Sequence, residues 1–213
     1  MANSIPVRWR REVLTGDGVQ SIRGAALDIL EVTGIAVRSE KVQKMLADAG
    51  CDVDKKSAVV RFPSTIVEEM AKKNDRAVTF YGRTRKHDAR LDFEHVHVCS
   101  DGNGTDAMDF ETRKRRPSRK SDVAKSAFVA DALKGHGINW PNVTSQDVPQ
   151  GTRHIHDLQA TLENTEKHIT LATDTTAWEV QDVVELASAA VGGPDAFAGK
   201  LAAQGLIAAA ALH

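Results

Sequence analysis

The sequence predicts an α/β protein: an N-terminal helical cap, an antiparallel β-layer, and then the strand–loop–helix order of a parallel sheet. Three observations carry that expectation. Apolar residues recur at helical spacing up to about residue 76 and alternate with a period of two between Val78 and Phe110. After Gly135 they fall into β-then-α blocks, an alternation that calls for parallel strands joined by right-handed crossovers. Domain boundaries are accordingly expected at 1–76, 77–134 and 135–213.

In the cap, Val19, Ile22, Ala26, Ile29 and Leu30 mark the inward face of a first helix, and Gly34 ends it. Ser39 caps a second helix carrying Val42, Met45, Leu46 and Ala49, closed by Gly50. Cys51 to Phe62 reads as a hairpin turning at Asp54 to Ser57. Pro63-Ser64 opens a third helix with Ile66, Val67 and Met70 inward. The β-layer then takes Val78 and Phe80, Leu91 and Phe93, His95 to Cys99, and Ala107 to Phe110 as short antiparallel strands. Between them Asp101-Gly102-Asn103-Gly104 is a loop whose glycines permit close approach to another backbone or a ligand.

A long helix after Pro117 carries Val123, Ala127, Phe128, Ala130 and Leu133 on its apolar side, and Gly135 stops it. Ile138 to Val143 is the next strand, with Pro141 marking its end. Thr152 starts a helix with Ile155, Leu158 and Leu162 aligned, and His168 to Ala172 is a further strand. Thr176 and Glu179 form a capping box for a helix with Val180, Val183, Val184 and Ala187 inward, which Gly192-Gly193 ends. The cap and β-layer are expected to hold most of the autonomous fold.

Composition narrows the function classes. Hydrophobic residues make up 41% and charged residues 27%, with a net charge of −1, so no global field recruits nucleic acid or an anionic membrane. Two cysteines, Cys51 and Cys99, fit a reducing cytoplasm better than a disulfide framework. No nucleophile elbow, P-loop, dinucleotide fingerprint or H-E-x-x-H occurs.

Ligands of parallel sheets sit at the C-terminal strand ends. That places Asn142, Gln146 and Asp147 after one strand and Thr173, Asp174 and Thr175 after the next. The competing expectation is that Gln146 to Pro149 shapes a turn, with Asp147 accepting backbone N–H bonds. His95, His97 and Cys99 alternate along one strand, but three ligands on one strand rarely converge on a metal, and a half-exposed face is the expectation. His154 and Asp157 share a helical face as a proton shuttle or a solvated pair. Arg113 to Arg116 with Arg119 and Lys120 form a basic cluster suited to an acidic partner protein more than to nucleic acid.

Tyr81-Gly82-Arg83 precedes a charged stretch ending in His87-Asp88-Ala89-Arg90-Leu91, and Asp109-Phe110-Glu111-Thr112 turns into Arg115-Arg116-Pro117. Gln146-Asp147-Val148-Pro149 follows a short apolar strand. From about Ile22 to Gly193 this order and spacing resembles the N-terminal part of the trimethylamine methyltransferase family. The resemblance implies the first βα units of an incomplete (β/α)8 TIM barrel, and transfer of a methyl group from a trimethylamine or betaine-like substrate to a corrinoid protein. It implies no cofactor bound directly, the corrinoid (cobalamin) being carried by the partner. On that view Asn142, Gln146, Asp147 and Asp174 bind substrate, Asp147 facing the methylammonium group, and Arg115 and Arg116 dock the partner. A chain ending at His213 is then expected to be inactive alone and to self-associate; the alternative is a non-catalytic binding or assembly module derived from that family.

Overall fold

The computed structural model describes residues 4–8, 11–73, 77–172, 176–198 and 203–206. They form a mixed α/β protein in two compact units, 9–76 and the remainder. Strand β1 (Ile5–Pro6) belongs to the second unit.

The 9–76 unit contains α1 (Gly16–Asp28), which runs into a π-helical turn at Ile29–Thr33, then β2 (Ile35–Ala36), α2 (Glu40–Asp48), β3 (Asp52–Asp54), β4 (Val59–Arg61) and α3 (Ser64–Lys73). The strands form an antiparallel sheet of order β2-β4-β3. Ser39 caps α2 by accepting from Val42 N at 3.4 Å, and Thr15 caps α1 by accepting from Gly18 N at 3.1 Å. Gly34, at φ +76°, ends the π-turn where a Cβ would stand 2.5 Å from Val60 O, so only glycine fits.

The expected inward face of the first helix is not buried. No residue of α1 is buried, and Val19, Ile22 and Ile29 are each half or more exposed. Periodicity identifies an apolar side without supplying a cover for it, and the neighbouring strands are only two or three residues long. Among the described residues of this unit, Gln43, Cys51 and Val60 are buried.

In the second unit, β5 (Val78–Phe80) pairs antiparallel with β6 (Ala89–Leu91), and β7 (His95–Val96) pairs antiparallel with β1. Next come β8 (Val98–Cys99), then the antiparallel pair β9 (Asp106–Met108) and β10 (Arg115–Pro117). The chain continues through α4 (Lys120–Ala132), β11 (His136–Asn139), α5 (Arg153–Leu162), β12 (His168–Ala172), α6 (Ala177–Ala190), α7 (Pro194–Ala198) and β13 (Ala203–Leu206). Strands β13-β12-β11-β8 make one parallel sheet.

Three elements differ from expectation. His95 to Cys99 is not one antiparallel strand: it breaks at His97, and Val98–Cys99 joins the parallel sheet beside His136 and Ile138. The long-helix face is narrower than its apolar pattern, because Val123, Ala127 and Ala130 are buried while Phe128 and Leu133 are more than half exposed. Likewise α6 buries Val183 and Ala187 but leaves Val180 and Val184 partly exposed. The hydrophobic core lies between α5, β12 and α6, where Leu158, Leu162, Ile169, Leu171 and Val183 meet. This buried apolar cluster belongs to the βα region. A crossover helix laid on a parallel sheet has both its apolar stripe and a matching apolar face to meet.

Candidate functional site

The C-terminal ends of β8 and β11 lie side by side, and the loops leaving them are laced together. Trp140 N donates to Ser100 Oγ at 2.8 Å, and the Trp140 indole N–H donates to Asn103 Oδ1 at 3.3 Å. Asn142 Nδ2 donates to Asp101 O at 3.0 Å, Gly104 N donates to Asn142 O at 3.0 Å, and Gly104 bridges Val143 in parallel register. Gly102 is obligatory in this arrangement, since a Cβ there would meet Asn142 O at 2.1 Å. The glycine loop thus makes the close approach its sequence suggested. Asn142 stays exposed, and the exposed Asp101 carboxylate makes no hydrogen bond or ion pair among the described residues. Half-buried Trp140 completes the edge.

Cys99 closes β8 just before this loop. Burial pushes its thiol up, and the Asp101 charge adds to the effect, so Cys99 is held as the thiol and is a poor nucleophile at neutral pH.

Gln146 and Asp147 occupy a second place. With Arg116, Ser118 and Arg119 they line a crevice of about 160 Å³. Asp147 Oδ1 accepts from Lys120 N at 2.8 Å, which satisfies one of the unpaired N–H groups at the start of α4. Gln146 Nε2 donates to Thr144 O and Oγ1 at 3.1 and 2.9 Å, and Gln146 N donates to Ser118 O at 2.9 Å. Asp174, with Thr173 and Thr175, lies outside the described residues. The structure therefore brings Gln146, Asp147 and Arg116 together and leaves Asn142 with the Asp101 loop.

The two arginines differ. Arg116 is held bidentately by Asp122, at 2.7 and 2.9 Å, with Asp109 Oδ2 at 3.6 Å from its Nε. The Asp122 carboxylate is held below its usual range, chiefly by the Arg116 hydrogen bonds, against an opposing effect of burial. Arg115 makes an exposed pair with Asp106 at 2.7 Å, and Arg113 lies over the Phe110 ring at 5.0 Å.

The other histidine, cysteine and aspartate groupings do not form sites. His95 Nδ1 meets Asp92, the His97 ring meets Arg90 O at 3.0 Å, and Cys99 Sγ donates to Ser100 O. Asp92, Glu94 and His95 come within 4.8 Å of one another, but Asp92 there serves the turn by accepting from Glu94 N and His95 N. His154 Nε2 reaches Asp182 at 3.3 Å, while Asp157 is buried against Ser145 and raised above the usual carboxylate range by burial. At the opposite strand ends, buried Lys167 donates to Ala130 O and Leu133 O at 2.7 and 2.9 Å and closes the α4 terminus. Burial lowers the Lys167 ammonium from its ordinary value, against Asp131, which favours the charge.

The sequence pointed to the Asp101 to Gly104 loop through its glycines, but not to the Asp101 carboxylate or to Trp140 as binding groups. What brings them together is the break at His97, which sets β8 parallel to β11 and turns the Asp101 loop into a C-terminal strand-end loop, and period-two alternation carries no sign of it. No helix among the described residues is long and apolar enough to cross a membrane.

The family model for trimethylamine methyltransferase matches residues 3–210. A trimethylamine methyltransferase of Desulfitobacterium hafniense is 26% identical over 175 residues, covering 82% of this chain and 35% of that protein. A trimethylamine methyltransferase of Methanosarcina acetivorans is 24% identical over 160 residues, covering 73% and 32%. A glycine betaine methyltransferase of Desulfitobacterium hafniense is 26% identical over 184 residues, covering 86% and 38%. The chain spans about a third of the length of the curated relatives it matches.

Proposed function

The chain belongs to the trimethylamine methyltransferase family, and from that premise we propose that it is the N-terminal portion of a methyltransferase. The enzyme would move a methyl group from trimethylamine or a betaine-like amine to a corrinoid protein in the cytoplasm. The order β8-α4-β11-α5-β12-α6-β13 supports reading it as successive units of a (β/α)8 barrel, which closes only with eight strands. The corrinoid, carried by the separate protein, supplies the nucleophile. This chain's share is to bind and orient the amine.

The observation that carries the reading is the unpaired Asp101 carboxylate at the C-terminal ends of β8 and β11, beside Trp140 and Asn142. A carboxylate and an indole suit a methylated ammonium, and an exposed amide suits the carboxylate of a betaine. Gln146 and Asp147 form the neighbouring crevice, and Asp174 follows β12 in the chain. Arg115 is the exposed cation for docking the corrinoid protein, with Arg116 fixing the hairpin that presents it.

Titration calorimetry with trimethylamine and glycine betaine tests the reading. The chain binds one of them, and Asp101→Asn weakens that binding about tenfold, the loss of one charged contact. Equal affinity in the variant would remove Asp101 from the site. Mixed with a corrinoid protein and substrate, the chain alone transfers no methyl group; transfer by it alone would make it a complete enzyme.

A further inference from the structure

The 9–76 unit carries a cleft that the methyltransferase reading does not use. It has a volume of about 540 Å³ and lies between one face of α2 and the β3–β4 turn. Small-molecule sites commonly have volumes of about 300–1,000 Å³. The positions from α2 that line it, Glu40, Gln43, Lys44 and Ala47, have the i, i+3, i+4, i+7 spacing of a single helical face.

Three features of the cleft belong together. Arg38, Lys44 and Lys55 stand around it, and none makes an ion pair or hydrogen bond with its side chain among the described residues. Glu40 is the one acidic lining residue, so three positive charges less one negative leave a net +2. Second, Ala47 and Val53 give it an apolar floor. Third, Gln43 is only 7% exposed, and its amide is oriented by Nε2 donating to Val37 O at 2.7 Å. That bond leaves the Gln43 carbonyl oxygen without a hydrogen-bond partner in a residue that lines the cleft. With its amide fixed by the Val37 bond, Gln43 presents an acceptor at the cleft that a ligand N–H or O–H can use.

We propose that this cleft binds a small phosphate monoester. The dianion matches the +2 balance of Arg38, Lys44 and Lys55 against Glu40, the organic body lies on Ala47 and Val53, and an N–H or O–H of the ligand donates to Gln43 Oε1. A phosphate monoester carries about −1.5 to −2 charges at pH 7, with a second pKa near 6. A monocarboxylate leaves half the charge unmatched. A methylated ammonium, the substrate of the proposed reaction, is itself a cation and is repelled by three more, and a betaine brings only one carboxylate charge. The site is thus separate in chemistry from the Asp101 edge.

The test uses the whole chain, with AMP, adenosine, inorganic phosphate and a phosphoserine peptide as probes, followed by calorimetry and by amide shifts of Gln43 and Lys44. AMP binds and adenosine does not; inorganic phosphate binds about tenfold more weakly than AMP for lack of the floor and amide contacts. Lys44→Gln and Lys55→Gln, both exposed and unpaired, each weaken AMP about five- to tenfold while leaving the far-UV circular dichroism unchanged. AMP affinity rises between pH 5 and pH 7 as the phosphate takes its second charge. Three results overturn the proposal: adenosine binding as tightly as AMP, AMP binding indifferent to both lysine substitutions, or no AMP binding at about 10 mM. Binding of the phosphoserine peptide without AMP also overturns it, and makes the cleft a docking site for a phosphorylated protein.

Discussion

Helices α1 and α5 carry the same kind of sequence pattern and reach opposite ends. Both show apolar residues at helical spacing and both are ended in orderly fashion. Yet α5 buries Leu158, Ala160, Thr161 and Leu162, while α1 buries nothing and shows Val19 and Ile22 to solvent. The difference lies in what each helix has to lie on. Helix α5 crosses between β11 and β12, two strands paired in parallel, and that crossover presses it against Ile169 and Leu171. The strands of the 9–76 unit are two or three residues long and offer no such surface. Amphipathicity names the face to be covered; sheet topology decides whether a cover exists.

The largest effect that would break this comparison is at the core. Leu158→Ala, at a fully buried position, should cost about 3–5 kcal/mol in urea unfolding, since the cavity left between α5 and β12 cannot collapse fully. A loss under about 1 kcal/mol would mean that the βα region is not the core.

Next is Asp122, which accepts from Arg119 N at 2.9 Å at the start of α4 and grips Arg116 on both oxygens. Asp122→Ala should cost about 1–2 kcal/mol at neutral pH. Its folded carboxylate titrates below the ordinary 3.8, so the unfolded chain takes up the proton first as pH falls. The stabilisation is present in full above that ordinary value and is lost as pH falls through the lowered one. A variant whose deficit persists unchanged in strong acid would contradict the assignment.

Asp147→Asn comes third, at about 0.5–1 kcal/mol, because the amide oxygen still accepts from Lys120 N. Carried into a full-length relative, the same change separates two roles. Unaltered turnover with slightly lower stability would leave Asp147 as a helix-start residue alone.

The smallest effect sharpens the comparison from the other side. Ile22→Ala, at a site 59% exposed, should change stability by no more than about 0.5 kcal/mol. Hydrogen exchange should follow the same order, with slower exchange in β12 and α5 than in α1. Slow exchange throughout α1 would show that another surface covers it.

Much of the local structure was legible because local rules decide it. Thr176 and Glu179 form the expected capping box, Ser39 caps α2, and Gly34, Gly50 and Gly135 take the positive φ their positions required. His168–Ala172 is a strand over the expected residues. The Asp101 edge was not legible. Parallel or antiparallel pairing of a two-residue strand depends on its distant partner, here β11, and period-two alternation is the same in both.

By itself, then, the sequence determined the helices, their stops, the order of βα units and the family to which the chain belongs. Each of these rests on residues close together in the chain or on their order along it. Only the tertiary structure decided that Val98–Cys99 lies parallel to β11, that Gly102 packs on Asn142, that Gln146 and Asp147 share a crevice with Arg116, and that the face of α1 stays uncovered. Those outcomes depend on which distant surfaces meet, a choice made by burial and backbone hydrogen bonding across the whole fold.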